Sequence, residues 1–391
     1  MNLRFPISCL LSAVLLAGCG KPPETAEKSN PQPTATPKVE EKNPVKIGFF
    51  APLTGSQATF GKDAIQGAQL AVEDLNASGG LLDRPVKLIL KDTQSNEEET
   101  VKVVREFSEE KIPVVIGEIA SDRTIAAAAV AQELSLPMIS PGATHSKVTA
   151  TGNFIFRVCY ADPFQGIVMS KFARSIDVKK AAILFDPEDP YSAGLAETFR
   201  QDFVSNGGII TREETYKTGD RDFSRQLTAL KETQPEIIFL PSYYAEAVQI
   251  ITQARQAAVD VPFLGTDGWD SPEFLRIGGK AVDNTYFANH FSHEEGSERV
   301  TEFSLKFSEK YGNQPPPLAA LAYDAVMLAA SAIRTAANED KDTIRQALAA
   351  TKDFPGVTGD VTFDENRTPR KPAIVIRVQD GTFSYLETVQ P

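Results

Sequence analysis

Apolar residues in this chain come in short runs, each followed by a stretch in which apolar positions recur at helical spacing, and the alternation continues for most of the sequence. Val45, Ile47, Phe49 and Phe50 form the first run; Ile65, Ala68, Val72 and Leu75 give the next segment one buried helical face, which Gly79-Gly80 closes. The pattern then predicts strand Val86 to Lys91, a helix around Glu97 to Glu110, strand Pro113 to Ile116, a helix around Thr124 to Leu134, and strand Pro137 to Ile139. A second series follows. It has a helix around Phe164 to Ser175, strand Ala181 to Phe185, helix Ser192 to Ser205, strand Gly208 to Tyr216, helix Phe223 to Glu232, strand Glu236 to Leu240, helix Glu246 to Ala257 and strand Pro262 to Leu264. Helices over Glu298 to Lys310, Ala319 to Ala337 and Asp342 to Ala350 come next, with late strands Gly359 to Phe363, Ile374 to Val378 and Phe383 to Leu386. Strand-helix alternation of this kind builds parallel sheets. The fold class is therefore α/β, with two doubly wound, Rossmann-like lobes and a cleft between them. The expected lobes are 45–162 with 290–368, and 163–289 with 369–391, so the chain would cross between them several times.

The first strand runs into the loop Ala51-Pro52-Leu53-Thr54-Gly55-Ser56-Gln57-Ala58-Thr59-Phe60-Gly61. Loops at the carboxyl ends of strands are where open α/β sheets bind small ligands. This loop has no lysine and is too long for GxxxxGK[ST], and its glycine spacing is not GxGxxG, so a nucleotide is not the favoured ligand.

The amino-terminal segment changes the compartment. Arg4 precedes an apolar stretch, Phe5 to Ala17, too short to span a bilayer as a mature helix. Leu16-Ala17-Gly18-Cys19 resembles a bacterial lipobox, which implies a signal peptide over 1–18, cleavage before Cys19 and a lipid on its thiol. Residues 19–44 are proline-rich and polar without an aromatic side chain, and read as a disordered tether. The expected location is extracytoplasmic, lipid-anchored to a membrane. Of the three cysteines, Cys9 leaves with the signal and Cys19 is lipidated, so Cys159 has no partner for an internal disulfide. The 42% hydrophobic and 24% charged content is that of a globular protein, and a net charge of −12 argues against nucleic acid as a partner.

Further along, the residues carry a resemblance. Val45-Lys-Ile-Gly-Phe-Phe-Ala-Pro-Leu-Thr-Gly, Gly61, Gly67-Ala68, Asn76-Ala-Ser-Gly-Gly, Val115-Ile-Gly, Pro137-Met-Ile-Ser-Pro-Gly-Ala-Thr, Tyr191, Asp222-Phe223-Ser224 and Gly265-Thr-Asp-Gly occur in the order found in the leucine/isoleucine/valine-binding proteins. The chain resembles that family from Val45 to its end. The resemblance implies a type I periplasmic binding fold, and the role of substrate-binding lipoprotein of a branched-chain amino acid ABC transporter: a monomer that captures an amino acid and delivers it to a membrane permease. A ligand-sensing or partner-regulating lipoprotein of the same fold, and a binder of short amides or urea, are the alternatives.

Residue by residue, the resemblance implies a ligand set of Phe60, Ser121, Gly142, Ala143, Thr144, Tyr191, Tyr243 and Asp267. Ser121 opens a helix, and helix starts accept anions, so Ser121 with the Gly142-Ala143-Thr144 turn matches the place for an α-carboxylate. Without the resemblance, Ser121 reads as an N-cap and Thr144 as a turn residue. Asp267 matches the acidic position for the α-ammonium, where a charge-assisted hydrogen bond is strong; an Asp-Gly turn is its plain alternative. Tyr191 and Tyr243 match rings that close over the ligand, with Tyr244 competing for the second place, and Phe60 matches a wall of the side-chain pocket. Trp269 lines the cleft or packs the turn. Asp122 and Arg123 depart from the small polar residues of relatives, and would disfavour an aliphatic ligand if they faced the cleft.

An enzyme is disfavoured. His145, His290 and His293 are the only histidines, there is no GxSxG elbow or HExxH pair, no cluster has metal-ligand spacing, and no cofactor is implied. Glu109-Glu110 and Glu294-Glu295 read as solvated surface, because adjacent helical residues do not face each other.

Overall fold

The computed structural model describes residues 43–391 together with Gly18 and Gly20. The leader, Cys19 and most of the tether lie outside the described residues. The chain begins with β1 (Val45–Ala51), α1 (Ala58–Ala77), β2 (Val86–Asp92), α2 (Glu97–Glu109), β3 (Val115–Ile116), α3 (Ser121–Glu133), β4 (Met138–Ser140), α4 (Lys147–Ala150) and β5 (Ile155–Arg157). These strands form a five-stranded parallel sheet in the order β2-β1-β3-β4-β5. Adjacent residues of a strand point to opposite faces. Phe49 accordingly packs with α1 residues such as Ala64 and Ala68, while Phe50 packs with Val103, Val104 and Phe107 of α2.

The second series is α5 (Asp162–Ser175), β6 (Lys180–Phe185), α6 (Pro190–Ser205), β7 (Ile209–Thr215), α7 (Ser224–Glu232), β8 (Ile237–Phe239), α8 (Tyr244–Gln256), β9 (Phe263–Gly265), α9 (Pro272–Gly278) and β10 (Thr285–Asn289). Three helices follow, α10 (Glu298–Tyr311), α11 (Pro317–Ala336) and α12 (Lys341–Ala349), then β11 (Ala373–Gln379) and β12 (Thr382–Val389). The second sheet has seven strands in the order β12-β11-β10-β9-β8-β6-β7. It is parallel from β7 to β10, and β11 and β12 extend it antiparallel.

The late pieces divide between the lobes. Helix α11 packs on α1, β3 and β4, so closely that a Cβ on Gly67 would collide with the Ala319 carbonyl. The segment expected as strand Gly359 to Phe363 makes only isolated bridges, Phe354 to Val361 and Phe363 to Pro369; Gly359, at φ +107°, breaks the extended run. It stays with the first sheet, where Phe363 packs on Phe156 and Arg367 Nε donates to the Ile155 carbonyl. Strands β11 and β12 belong to the second sheet. The chain therefore passes between the lobes after β5, after β10 and before β11.

A buried ion pair joins these crossings. Lys371 Nζ donates to the Val158 carbonyl at 3.0 Å and to Thr358 Oγ1, and lies 3.7 Å from Asp324 Oδ2 on α11. Asp324 in turn accepts from the Val357 and Thr358 amides. Each sheet reverses its winding once, between β1 and β3 and between β6 and β8. Ligand crevices form at such switch points.

Candidate functional site

The loops after β1, β3 and β4 form the first-lobe wall. Asp92 at the end of β2 pins the β1 loop, accepting from the Leu53 amide at 2.8 Å and from Thr54 Oγ1 at 2.6 Å. Phe60, on the first turn of α1, is thereby set into the cleft. The start of α3 is organised by the buried carboxylate of Glu118, which accepts from the Ile119 and Ala120 amides at 2.6 and 2.8 Å and from Thr93 Oγ1. Arg123 turns back to this carboxylate at 3.0 Å and to Gln57 Oε1 at 2.6 Å. Burial works against its charge, but Glu118 and Asp122 outweigh that and raise its pKa. Ser121 is left facing across the cleft, its amide donating to Tyr243 Oη at 3.3 Å and its Oγ accepting from the His145 amide.

Gly142 is placed by close approach, since a Cβ there would press on Leu318 and Ile119 at 2.9 and 3.2 Å. Ala143 donates its amide to Ser140 Oγ, and its carbonyl accepts from the fully buried Arg157. Thr144 is buried, and its Oγ1 has no hydrogen-bond partner. Buried polar atoms rarely lack a partner.

Tyr191 follows β6, Tyr243 follows β8 and Asp267 follows β9, so the second-lobe wall is also built at strand ends. The two tyrosine rings stack at 4.8 Å. Asp267 is held from several sides: Oδ1 accepts from Gln165 Nε2 at 2.8 Å and Tyr191 Oη at 2.6 Å, and Oδ2 lies 2.9 Å from His290 Nε2. Gln165 is itself fixed by Tyr160 Oη at 2.9 Å, and the Tyr160 ring lies on the His290 ring at 3.8 Å.

A cavity of about 20 Å³ lies between these walls. Its lining takes Phe60, Ile119, Ser121, Gly142 and Leu318 from the first lobe and Tyr191, Tyr243, Asp267 and Gly268 from the second. Six of the eight residues expected from the sequence are thus brought together, while Ala143 and Thr144 lie behind the Gly142 wall. Outside the cavity, Tyr244 Oη donates to the Ser56 carbonyl and accepts from Thr59 Oγ1, both at 2.9 Å, clasping the lobes edge-on to Phe60.

Other candidates are placed elsewhere. Trp269 is buried against Phe274 with its indole N–H on Ser242, so it packs the turn. Asp122 and Arg123 border the cleft, lining a larger interlobe cavity of about 590 Å³ that shares Tyr243 with the small one but does not include Leu318 or Gly142. Burial and the cations Lys147 and Arg157 push His145 down to about 4, and its Nδ1 accepts from the Lys147 amide. Cys159 is buried and free, and burial pushes its thiol up to about 12. His293, Glu109, Glu110, Glu294 and Glu295 are exposed.

Sequence reasoning missed Ile119 and Leu318 as lining and Gln165, Tyr160 and His290 as the holders of Asp267. Leu318 opens a helix far along the chain, and nothing in its neighbourhood announces the approach to Gly142. His290 carried a signal of its kind, being one of only three histidines.

A family model described as periplasmic binding protein matches residues 44–382. The Leu/Ile/Val-binding protein homolog 1 of Brucella suis is 28% identical over 352 residues, covering 88% of this chain and 93% of that protein. Among solved structures, the leucine-binding protein LivK of Thermotoga maritima superposes with a TM-score of 0.85 at 34% identity, covering 89% of this chain and 99% of that one. LivJ of Streptococcus pneumoniae, a branched-chain amino acid transporter substrate-binding protein solved with isoleucine, gives a TM-score of 0.84 at 34% identity, covering 89% and 100%.

Proposed function

Because the chain belongs to the periplasmic binding protein family, and within it to the leucine/isoleucine/valine-binding type of extracytoplasmic substrate-binding proteins, we propose that its interlobe cavity captures a neutral, branched-chain α-amino acid for an ABC importer. The observation that carries this reading is the pairing of opposite polarities across one small apolar space. Asp267 stands on the second-lobe wall, and the start of α3, at Ser121, stands on the first. A carboxylate suits an ammonium, and the positive dipole end of a helix, where the Ser121 amide faces the cleft, suits a carboxylate. Phe60, Ile119 and Leu318 supply apolar surface for a hydrocarbon side chain.

The proposed mechanism is lobe closure. A cavity of about 20 Å³ holds about one water molecule, so an amino acid enters only if the walls separate. Binding to one lobe and then the other gives the closed form its differential affinity, because only that form touches ammonium and carboxylate together. Ser121 to Tyr243, Tyr244 to Ser56 and Phe60 to Tyr244 are among the direct contacts such a closure makes. The closed form would then dock on its permease. In this reading the protein works as a monomer tethered through lipid on Cys19, supported by the order Leu16-Ala17-Gly18-Cys19. Loss of Cys19→Ala from the membrane fraction is the check on the anchor.

The test of the binding role is calorimetry with L-leucine, L-isoleucine and L-valine on wild type and Asp267→Asn. Asparagine keeps the size and an oxygen for Tyr191 and Gln165 but has no charge, and losing one partner of a desolvated ion pair costs about 2–5 kcal/mol, or roughly 30-fold or more in Kd. Equal affinity in the two proteins would remove Asp267 from ligand recognition, and no binding of any neutral amino acid would end the proposal.

A further inference from the structure

The carboxylate proposed to receive the ammonium is already touched by an ionisable group. His290 Nε2 stands 2.9 Å from Asp267 Oδ2, and the two side chains are only 4% and 12% exposed. The ring packs against the tilted ring of Tyr160, and its own amide donates to Asn289 Oδ1, so the imidazole is held in place. His290 also lines a cavity of about 150 Å³ at the crossing between lobes, together with Ser292, Glu295 and Arg299.

We infer that His290 tunes the charge that Asp267 offers to a ligand, so that an ammonium on Asp267 and a proton on His290 compete. With a neutral ring, Nε2–H donates to Asp267, whose full negative charge remains for the ammonium. With a protonated ring, Asp267 is already neutralised by a cation at contact distance, and a second cation meets repulsion instead of an unpaired anion. By linkage, bound ligand lowers the proton affinity of His290 by the same factor that protonation lowers ligand affinity. Affinity is therefore highest with the ring neutral and falls as the ring gains a proton. The inference deepens the amino-acid-binding reading and rests on it.

Other groups around this pair titrate or carry charge. Asp270, on the same turn as Asp267 and held by Asn289, is pushed up to about 7 by burial, with Asp267 adding to the rise. Asp162, fully buried at the start of α5, is raised well above the carboxylate range by burial and, less strongly, by Asp267. Across the hinge-side cavity Arg299 is engaged by Asp360 and the Gly356 carbonyl, and Glu295 is exposed. Protonation of Asp270 would also weaken an ammonium site, so a pH slope alone does not identify His290.

The discriminating variant is H290Q, whose side-chain amide keeps a neutral donor near Asp267. Calorimetry with L-leucine on the purified full-length protein should show the wild-type Kd rising from about pH 8 to about pH 5.5 by about threefold or more beyond the rise in H290Q, because any slope from Asp270 is common to both proteins. Titrations of wild type in two buffers of different ionisation enthalpy should show proton release on binding near the middle of that range, a readout that does not depend on the variant folding. A slope preserved in H290Q, or no proton released by wild type, overturns the inference. Absence of leucine binding at about pH 8, by contrast, would strike the amino-acid reading itself.

Discussion

Replacing Asp324 by asparagine probes the physics of the crossings directly. Lys371 and Asp324 are 2% and 1% exposed, and no other carboxylate lies within 4 Å of the ammonium among the described residues. Burial holds the Lys371 pKa below its usual value, with Asp324 opposing the fall. Asp324→Asn leaves a buried cation with only the Val158 carbonyl and the Thr358 hydroxyl, and breaking a buried pair from one side costs about 3–5 kcal/mol. At about 2.1 cal/mol/K per residue over roughly 350 residues, that lowers Tm by about 4–7 °C at neutral pH. The sign of the pH dependence follows from the lowered pKa. The unfolded chain holds the Lys371 proton more tightly than the folded one, so the folded state gains relative stability as pH rises from the folded pKa toward the unfolded value of about 10.4. The variant, with a still lower folded pKa, recovers more. The gap in Tm between variant and wild type should therefore narrow from about pH 7 to about pH 9.5, although the amide that asparagine cannot satisfy leaves a residue of about 1–3 kcal/mol. Calorimetric scans of both proteins at the two pH values provide the assay. A gap that is absent, or that stays constant with pH, would refute the view that an uncompensated ammonium is the cause.

Two further outcomes follow from the packing. Tyr243→Phe keeps the stack on Tyr191 but removes the acceptor for the Ser121 amide, and should weaken leucine binding by about 2- to 12-fold in calorimetry, the equivalent of about 0.5–1.5 kcal/mol. Gly67→Ala forces α1 away from the Ala319 carbonyl on α11, and should lower stability in urea by about 1–3 kcal/mol through overpacking, with m unchanged.

The alternation of apolar runs was enough to read two doubly wound sheets, because parallel strands buried on both faces are nearly continuous apolar segments. β5 and β10 escaped that reading. β5 ends on Arg157, buried and bonded to carbonyls, and β10 starts and ends on the polar residues Thr285 and Asn289. Gly359 to Phe363 misled for the opposite reason, offering apolar positions in a segment that only bridges. At the site, the resemblance drew attention to residues at strand ends, and the structure sets Phe60, Ser121, Gly142, Tyr191, Tyr243 and Asp267 around one cavity. What local sequence did not carry was the support. The turn of Arg123 toward Glu118, the approach of Leu318, and the grip of Gln165 and His290 on Asp267 are long-range contacts that appear only when separate loops are folded together.

The claim that the cavity reads both charges of an α-amino acid is tested most directly by comparing three ligands that share leucine's isobutyl group in calorimetry: L-leucine, isopentylamine without the carboxylate, and 4-methylpentanoate without the ammonium. Tight binding of L-leucine, with each single-charge analogue weaker by about 30-fold or more, is the predicted result. An analogue that binds as tightly as L-leucine would contradict the account, because one of the two opposed walls would then contribute nothing to recognition.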